Sequence, residues 1–179
     1  MSGTVYWLTG LAGAGKTSVG KLLYDDFKKL NNTVVFLDGD ELRSVFGKNS
    51  NHTVDDRKKL AFQYAGLCRM LARQDIDVIC ATISMFHAVH AWNRKNIINY
   101  VEIYLKVPME VLIARDQKQL YSRARKGQVE NVMGVDIDFE EPVAPDIRLV
   151  NDGNTSLTEL VSRLAQQINE KKFNIRDTA

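Results

Sequence analysis

Short apolar runs alternate with longer amphipathic stretches along this chain. Residues 5–9, Val-Tyr-Trp-Leu-Thr, form the first strand-like run. Beyond a glycine-rich segment, Val19, Leu22, Leu23, Phe27 and Leu30 recur at spacings of three and four, the period of one helix face. Asn31-Asn32 follows as a stop and turn. Residues 33–37 (TVVFL) are β-branched and apolar, a second strand that runs into Asp38-Gly39-Asp40. A short helix is expected at 41–46, then a polar loop at 47–53. From 56 to 73, Leu60, Tyr64, Leu67, Cys68 and Leu71 make one helical face with charges opposite. Residues 77–83 (DVICATI) read as a buried strand with Ser84 at its carboxyl end. A helix at 87–98 precedes a fourth strand at 100–107 (YVEIYLKV). Pro108 breaks that strand and leads into a helix from 109 to about 116. Residues 117–128 are helical and basic, with Gly127 as the stop. After an irregular stretch at 131–145, residues 147–150 form a short last strand. Ser156 and Glu159 fit a capping box for a final helix that carries Leu157, Leu160, Val161, Leu164 and Ile168. Residues 171–179 are expected as a loose tail.

Strands alternating with helices predict an α/β protein: a three-layer sandwich around a parallel, five-stranded sheet. One domain spans 1–179, and a small helical lid at about 117–140 lies between the fourth and fifth strands. The lid's Lys118, Arg123 and Arg125 are candidates to close over phosphates, or simply a solvated basic face.

Composition narrows the partners. A formal charge of +2 argues for neither a nucleic-acid polymer nor a membrane surface. No apolar run approaches the ~20 residues of a membrane span. The two cysteines, Cys68 and Cys80, sit in apolar runs and are expected to be buried, inert thiols. No leader segment is evident, so a cytoplasmic enzyme is the expectation.

The chemistry begins in the glycine-rich segment. Residues 10–17, GLAGAGKT, fit G-x-x-x-x-G-K-[ST], and the strand before and helix after supply the context this phosphate-binding loop needs. Its amides and the helix N-terminus suit phosphate oxygens. Gly10, Gly13, Ala14, Gly15, Lys16, Thr17 and Ser18 are therefore the candidate ATP-binding residues, with Lys16 on the β/γ-phosphates and the Thr17 hydroxyl on Mg²⁺. Arg115 is a candidate to stack on the ATP adenine. No N-K-x-D base-reading motif of GTPases is present. Asp38 and Asp40 stand at a strand's carboxyl end, where one carboxylate can orient an acceptor hydroxyl and take its proton. The alternative for both is an Asx turn or helix cap. Arg43 and Arg57 are candidates for an anionic acceptor, or surface ion pairs. His52, His87 and His90 follow no metal-ligand spacing.

These residues resemble the adenylylsulfate kinase family. The matching segments are W-L-T-G-L-A-G-A-G-K-T at 7–17, L-D-G-D-x-x-R at 37–43 and D-R at 56–57. Further on come I-S at 83–84, V-E-I-Y-L-x-V-P-x-E-V at 101–111, R-D-x-K-x-L-Y at 115–121, A-R-x-G at 124–127 and G-V-D-x-x-F-E-x-P at 134–142. The resemblance implies a homodimeric P-loop kinase that uses MgATP to phosphorylate the 3′-hydroxyl of adenylyl sulfate. It implies Asp40 on the acceptor ribose, Arg43 and Arg57 on the acceptor's anionic part, and Lys16 and Lys118 on the phosphates in transfer. Ser84, Asp38 and Val132 complete the expected acceptor set.

Three departures fall where the family grips its acceptor. Leu60 stands where D-R-x-x-N has asparagine. Met85 and His87 replace the proline and arginine of I-S-P-[YF]-R. Glu130 and Val132 replace the lysine and the adenine-stacking aromatic of K-x-F-T-G-[IV]-D. A branch similar to this family phosphorylates the 3′-hydroxyl of cytidine diphosphoramidate, and an acceptor of that kind is the expectation. The alternatives are adenylyl sulfate itself, a silent nucleotide-binding module, and a kinase for a non-nucleotide small molecule.

Overall fold

The computed structural model describes residues 2–30, 33–46 and 53–176. Its elements run β1 (Thr4–Thr9), α1 (Lys16–Lys29), β2 (Val34–Asp38), α2 (Gly39–Phe46), α3 (Val54–Ala72), β3 (Asp77–Ala81) and α4 (His87–Asn96). They continue with β4 (Asn99–Lys106), α5 (Met109–Arg115), α6 (Leu120–Arg125), β5 (Ile147–Val150) and α7 (Leu157–Arg176). The five strands form one parallel sheet in the order β2-β3-β1-β4-β5. Helices α1 and α7 pack together on one face, and α3 and α4 on the other. This is the expected three-layer α/β sandwich.

Burial explains the strand sequences. β1 lies mid-sheet, covered on both faces, so Val5, Tyr6, Trp7 and Leu8 are all fully buried and the run is continuously apolar. Edge strand β5 alternates instead: Ile147 and Leu149 point inward, Arg148 and Val150 outward. Gly20 lets α1 approach β2 closely, because a Cβ there would sit 2.6 Å from the Phe36 ring.

Several local expectations need correction. Leu30 is the exposed residue that ends α1, not part of its buried face. The basic helix expected at 117–128 is broken. Asp116, Lys118 and Gln119 all take positive φ, and only Leu120–Arg125 forms α6. The Asp116 carboxylate accepts from the Tyr121 and Ser122 amides at 2.9 and 3.0 Å, which caps α6 where it starts. Helix α7 runs to Arg176, so most of the expected tail is helical. Its capping box is half formed: Ser156 Oγ accepts from the Glu159 amide at 3.2 Å, while Glu159 pairs with Arg163. The turn at Asn31-Asn32, loop residues 47–52 with His52, and residues 177–179 lie outside the described residues. Cys68 and Cys80 are both buried, and mutual hydrogen bonding with burial pushes the Cys80 thiol up. Trp92 packs edge-on against Phe62. No described helix is long and apolar enough to cross a membrane.

Candidate active site

The phosphate loop turns at the carboxyl end of β1. Gly15, in the left-handed region at φ 95°, is the N-cap of α1, and no side chain caps that helix. Its first turn carries no acidic residue either. α3 differs: Thr53 caps it and Asp55 and Asp56 occupy its first turn. The start of α1 is thus left open to an external anion. Lys16 Nζ donates to Leu11 O at 2.8 Å across the loop. From behind, Asn151 Nδ2 donates to Ala14 O at 2.9 Å, and Arg115 Nη2 donates to Asn151 Oδ1 at 3.0 Å. Arg115 also reaches Gly13 O at 3.4 Å, so it braces the loop from outside.

β2 delivers the two carboxylates. Asp38 Oδ1 accepts from the Asp40 amide at 2.8 Å, the turn that opens α2. Its other oxygen accepts from Thr17 Oγ1 at 2.6 Å. Asp38 therefore makes the capping turn and also touches the phosphate loop. Among the described residues no three His, Cys, Asp or Glu side chains form a metal cluster. A hydroxyl with one adjacent carboxylate suits Mg²⁺ that is otherwise held by substrate phosphate oxygens and water. Asp40 accepts from Lys118 Nζ at 3.0 Å and also pairs with Arg43. The Lys118 hydrogen bond, with help from Arg43, holds the Asp40 carboxyl below its ordinary value.

A cavity of ≈ 380 Å³ opens beside the loop. That size suits a small molecule. Gly13, Lys16, Thr17, Asp38, Asp40, Arg43, Arg57, Ser84, Lys118 and Val132 all line it. The structure thus brings every expected acceptor residue to one place. Gly10, Ala14, Gly15 and Ser18 belong to the loop but do not line the cavity, and Arg115 lies behind it. Arg123 and Arg125 are exposed and away from the cavity, as a solvated basic face would be. Arg57 Nη2 donates to Asn131 O at 2.7 Å, tying α3 to the 131–137 segment. Asp136 accepts from the amides of Asn131 and Val132 and closes that segment on itself.

One of the three departures sits elsewhere. Leu60, Glu130 and Val132 line the cavity, but Met85 is buried and His87 bonds Glu141 O at 2.8 Å outside it. Sequence reasoning missed Tyr64, Phe86 and Met133 on the cavity wall, and Asn151 behind the loop. Position at a strand's carboxyl end was the available signal for Asn151.

Burial lowers the Lys16 ammonium to about 8, against the pull of Asp38 and Asp40. A bound phosphate favours the charged form, so ATP binding takes up a proton once pH exceeds that value. ATP affinity is expected to fall by up to about tenfold per pH unit above about pH 8, measured by titration calorimetry. A flat affinity to about pH 9.5 would separate Lys16 from the phosphates.

Comparison with known proteins agrees with this geometry. Residues 2–151 match the model of the adenylylsulphate kinase family. Cytidine diphosphoramidate kinase of Campylobacter jejuni is 41% identical over 167 residues, covering 92% of this chain and 95% of the relative. Adenylyl-sulfate kinase of Halothermothrix orenii is 32% identical over 171 residues, covering 96% and 92%. The Mycobacterium tuberculosis APS kinase, solved in complex with AMPPNP and APS, superposes with a TM-score of 0.87 at 27% identity, covering 94% of this chain and 98% of that one. An uncapped phosphate loop, a cavity beside it lined by cations and carboxylates, and a family match across most of the chain have one reading: the protein is a kinase and belongs to the adenylylsulphate kinase family.

Proposed function

We propose that the protein transfers the γ-phosphoryl group of MgATP to the 3′-hydroxyl of cytidine diphosphoramidate. The observation that carries this reading is the cavity wall. Leu60 and Val132 stand where the family pattern has an amide and an adenine-stacking ring, and both line the acceptor cavity. The loss of ring and amide removes two means of gripping a purine. The 41%-identical relative is named for the cytidine acceptor, which supports the same assignment.

In this reading the loop amides and Lys16 hold the β- and γ-phosphates of ATP. Thr17, with Asp38 beside it, would hold Mg²⁺, which would supply charge neutralisation to the phosphates. Lys118 leaves Asp40 for the transferring phosphoryl group. Asp40 is then available to orient the 3′-hydroxyl and accept its proton. Arg43 and Arg57 face the acceptor's anionic bridge, and Ser84 and Val132 its nucleoside. Arg115 covers the ATP base. A homodimer is part of the proposal, and light scattering tests it.

Adenylyl sulfate is the second reading, favoured by Phe86 on the cavity wall and by relatives named for that substrate. A silent nucleotide-binding module fits less well, because Lys16, Thr17, Asp40 and Lys118 converge on one cavity.

ADP release across an acceptor panel tests the proposal, with a 3′-deoxy analogue as control. Turnover of cytidine diphosphoramidate that vanishes for its 3′-deoxy form is expected; turnover of the 3′-deoxy form would move the reacting hydroxyl elsewhere. Val132→Phe restores a stacking ring. It is expected to raise kcat/KM for adenylyl sulfate by about tenfold relative to the cytidine acceptor, on the scale of base–aromatic stacking. An unchanged ratio would remove Val132 from acceptor selection.

A further inference from the structure

One wall of the acceptor cavity is a strained turn. Ser84 is buried and takes φ 22°, at the border of the left-handed region that L side chains disfavour. Its hydroxyl lies 2.7 Å from Thr82 Oγ1. Its carbonyl accepts from the Phe86 amide at 3.0 Å and faces His90 Nε2, also at 3.0 Å. Thr82, Ile83, Ser84 and Phe86 all line the cavity.

A carbonyl oxygen only accepts, so Nε2 must carry hydrogen. On the other side of the ring, Nδ1 faces Glu102 Oε1 at 3.3 Å, with the two side chains only 7% and 2% exposed. Burial drives His90 down to about 4 and pushes Glu102 up. The ring is therefore neutral at pH 7, its one hydrogen points at Ser84, and Nδ1 is buried beside Glu102 with no hydrogen-bond partner among the described residues. Glu102 is itself fixed. Its amide donates to Asp146 Oδ2 at 2.9 Å, and its Oε2 accepts from Arg94 Nη2 at 3.2 Å. Arg94 Nη1 in turn donates to Asp146 Oδ2 at 3.1 Å. A polar chain thus runs from the start of β5, through β4 and α4, to the cavity wall.

We propose that His90, packed against Glu102, is a positioning residue for the acceptor: its hydrogen bond to Ser84 O holds the turn that sets the wall from Thr82 to Phe86. The proposal rests on this cavity being the acceptor site, not on which nucleotide fills it. The turn also meets β1 just before the ATP loop, where Thr9 Oγ1 donates to Ile83 O and the Thr82 amide to Leu8 O, but His90 itself bonds only the acceptor side of the turn, so the larger effect is expected on the acceptor.

Two variants separate the halves of the ring. In His90→Gln the amide reaches the Nε2 position; in His90→Asn it reaches only the Nδ1 position. His90→Asn is expected to raise the acceptor KM about tenfold, with the ATP KM within about twofold, and His90→Gln to stay near wild type. Each is assayed with cytidine diphosphoramidate and with adenylyl sulfate. Turnover of only the latter would overturn the choice of acceptor while leaving the Asn–Gln contrast readable. An unchanged His90→Asn, a parallel rise in both KM values, or a His90→Gln as impaired as His90→Asn would overturn the proposal. Long-range ¹H–¹⁵N NMR of the wild-type protein needs neither acceptor nor variant. The Nε2–H tautomer is expected, and an Nδ1–H tautomer would overturn the bond to Ser84.

Discussion

Replacing Asp40 by alanine is expected to lower kcat by about 10²–10⁴, with MgATP affinity kept within about threefold. In the structure this carboxylate lines the cavity and pairs with both Lys118 and Arg43. Its low pKa does not disqualify it. In a loose phosphoryl transfer the acceptor proton leaves late, so orienting the hydroxyl matters more than base strength. Lys118 is also the main cause of that low pKa, and on the proposed function its departure to the phosphoryl group would let the carboxyl rise. Asp40 makes no contact with the phosphate loop comparable to the Asp38–Thr17 bond, which is why nucleotide binding should survive. Loss of MgATP affinity in parallel with kcat would make Asp40 a nucleotide-site residue instead. Single-turnover kinetics with a fluorescent ATP analogue separate the two.

Lys16→Ala is expected to cost both steps. Removing a cation aimed at developing charge typically lowers kcat by about 10²–10³. The ground-state phosphates also lose a partner, so the ATP KM should rise as well. The effect differs in kind from that of Asp40→Ala, where kcat alone moves. Lys16 Nζ already lies across the loop, on Leu11 O, and has only to exchange a carbonyl for a phosphate oxygen. An enzyme that kept wild-type kcat without it would place the γ-phosphate away from the loop.

The fold was legible where burial imposes a simple period. β1 reads as a strand because a mid-sheet position demands apolar residues on both faces, and β5 because an edge strand alternates. The phosphate loop was legible because its glycine and lysine spacing is itself the mechanism. Contacts between distant segments were not legible. Nothing in Gln117-Lys118-Gln119 signals left-handed backbone, since no glycine is present. The break is held instead by the Asp116 cap on α6, with Lys118 drawn to Asp40. Asn151 is joined to Ala14 across 137 positions, so no local pattern announces it. The departures at Met85 and His87 looked like acceptor contacts from motif position alone. Packing puts Met85 in the core and His87 on the 140–141 segment. Leu60, Glu130 and Val132 do reach the cavity, because α3 and the Asp136-capped segment are tied together by Arg57.

On the proposed function, this kinase site takes a cytidine acceptor in preference to a purine one. A one-pot competition tests it most directly: wild-type enzyme, MgATP, and equal, subsaturating concentrations of cytidine diphosphoramidate and adenylyl sulfate. Mass spectrometry then reads the ratio of the two 3′-phosphorylated products, which is the ratio of kcat/KM values. At least about tenfold more cytidine product is expected, the discrimination that a missing stacking partner can supply. A mixture dominated by 3′-phosphoadenylyl sulfate would contradict it.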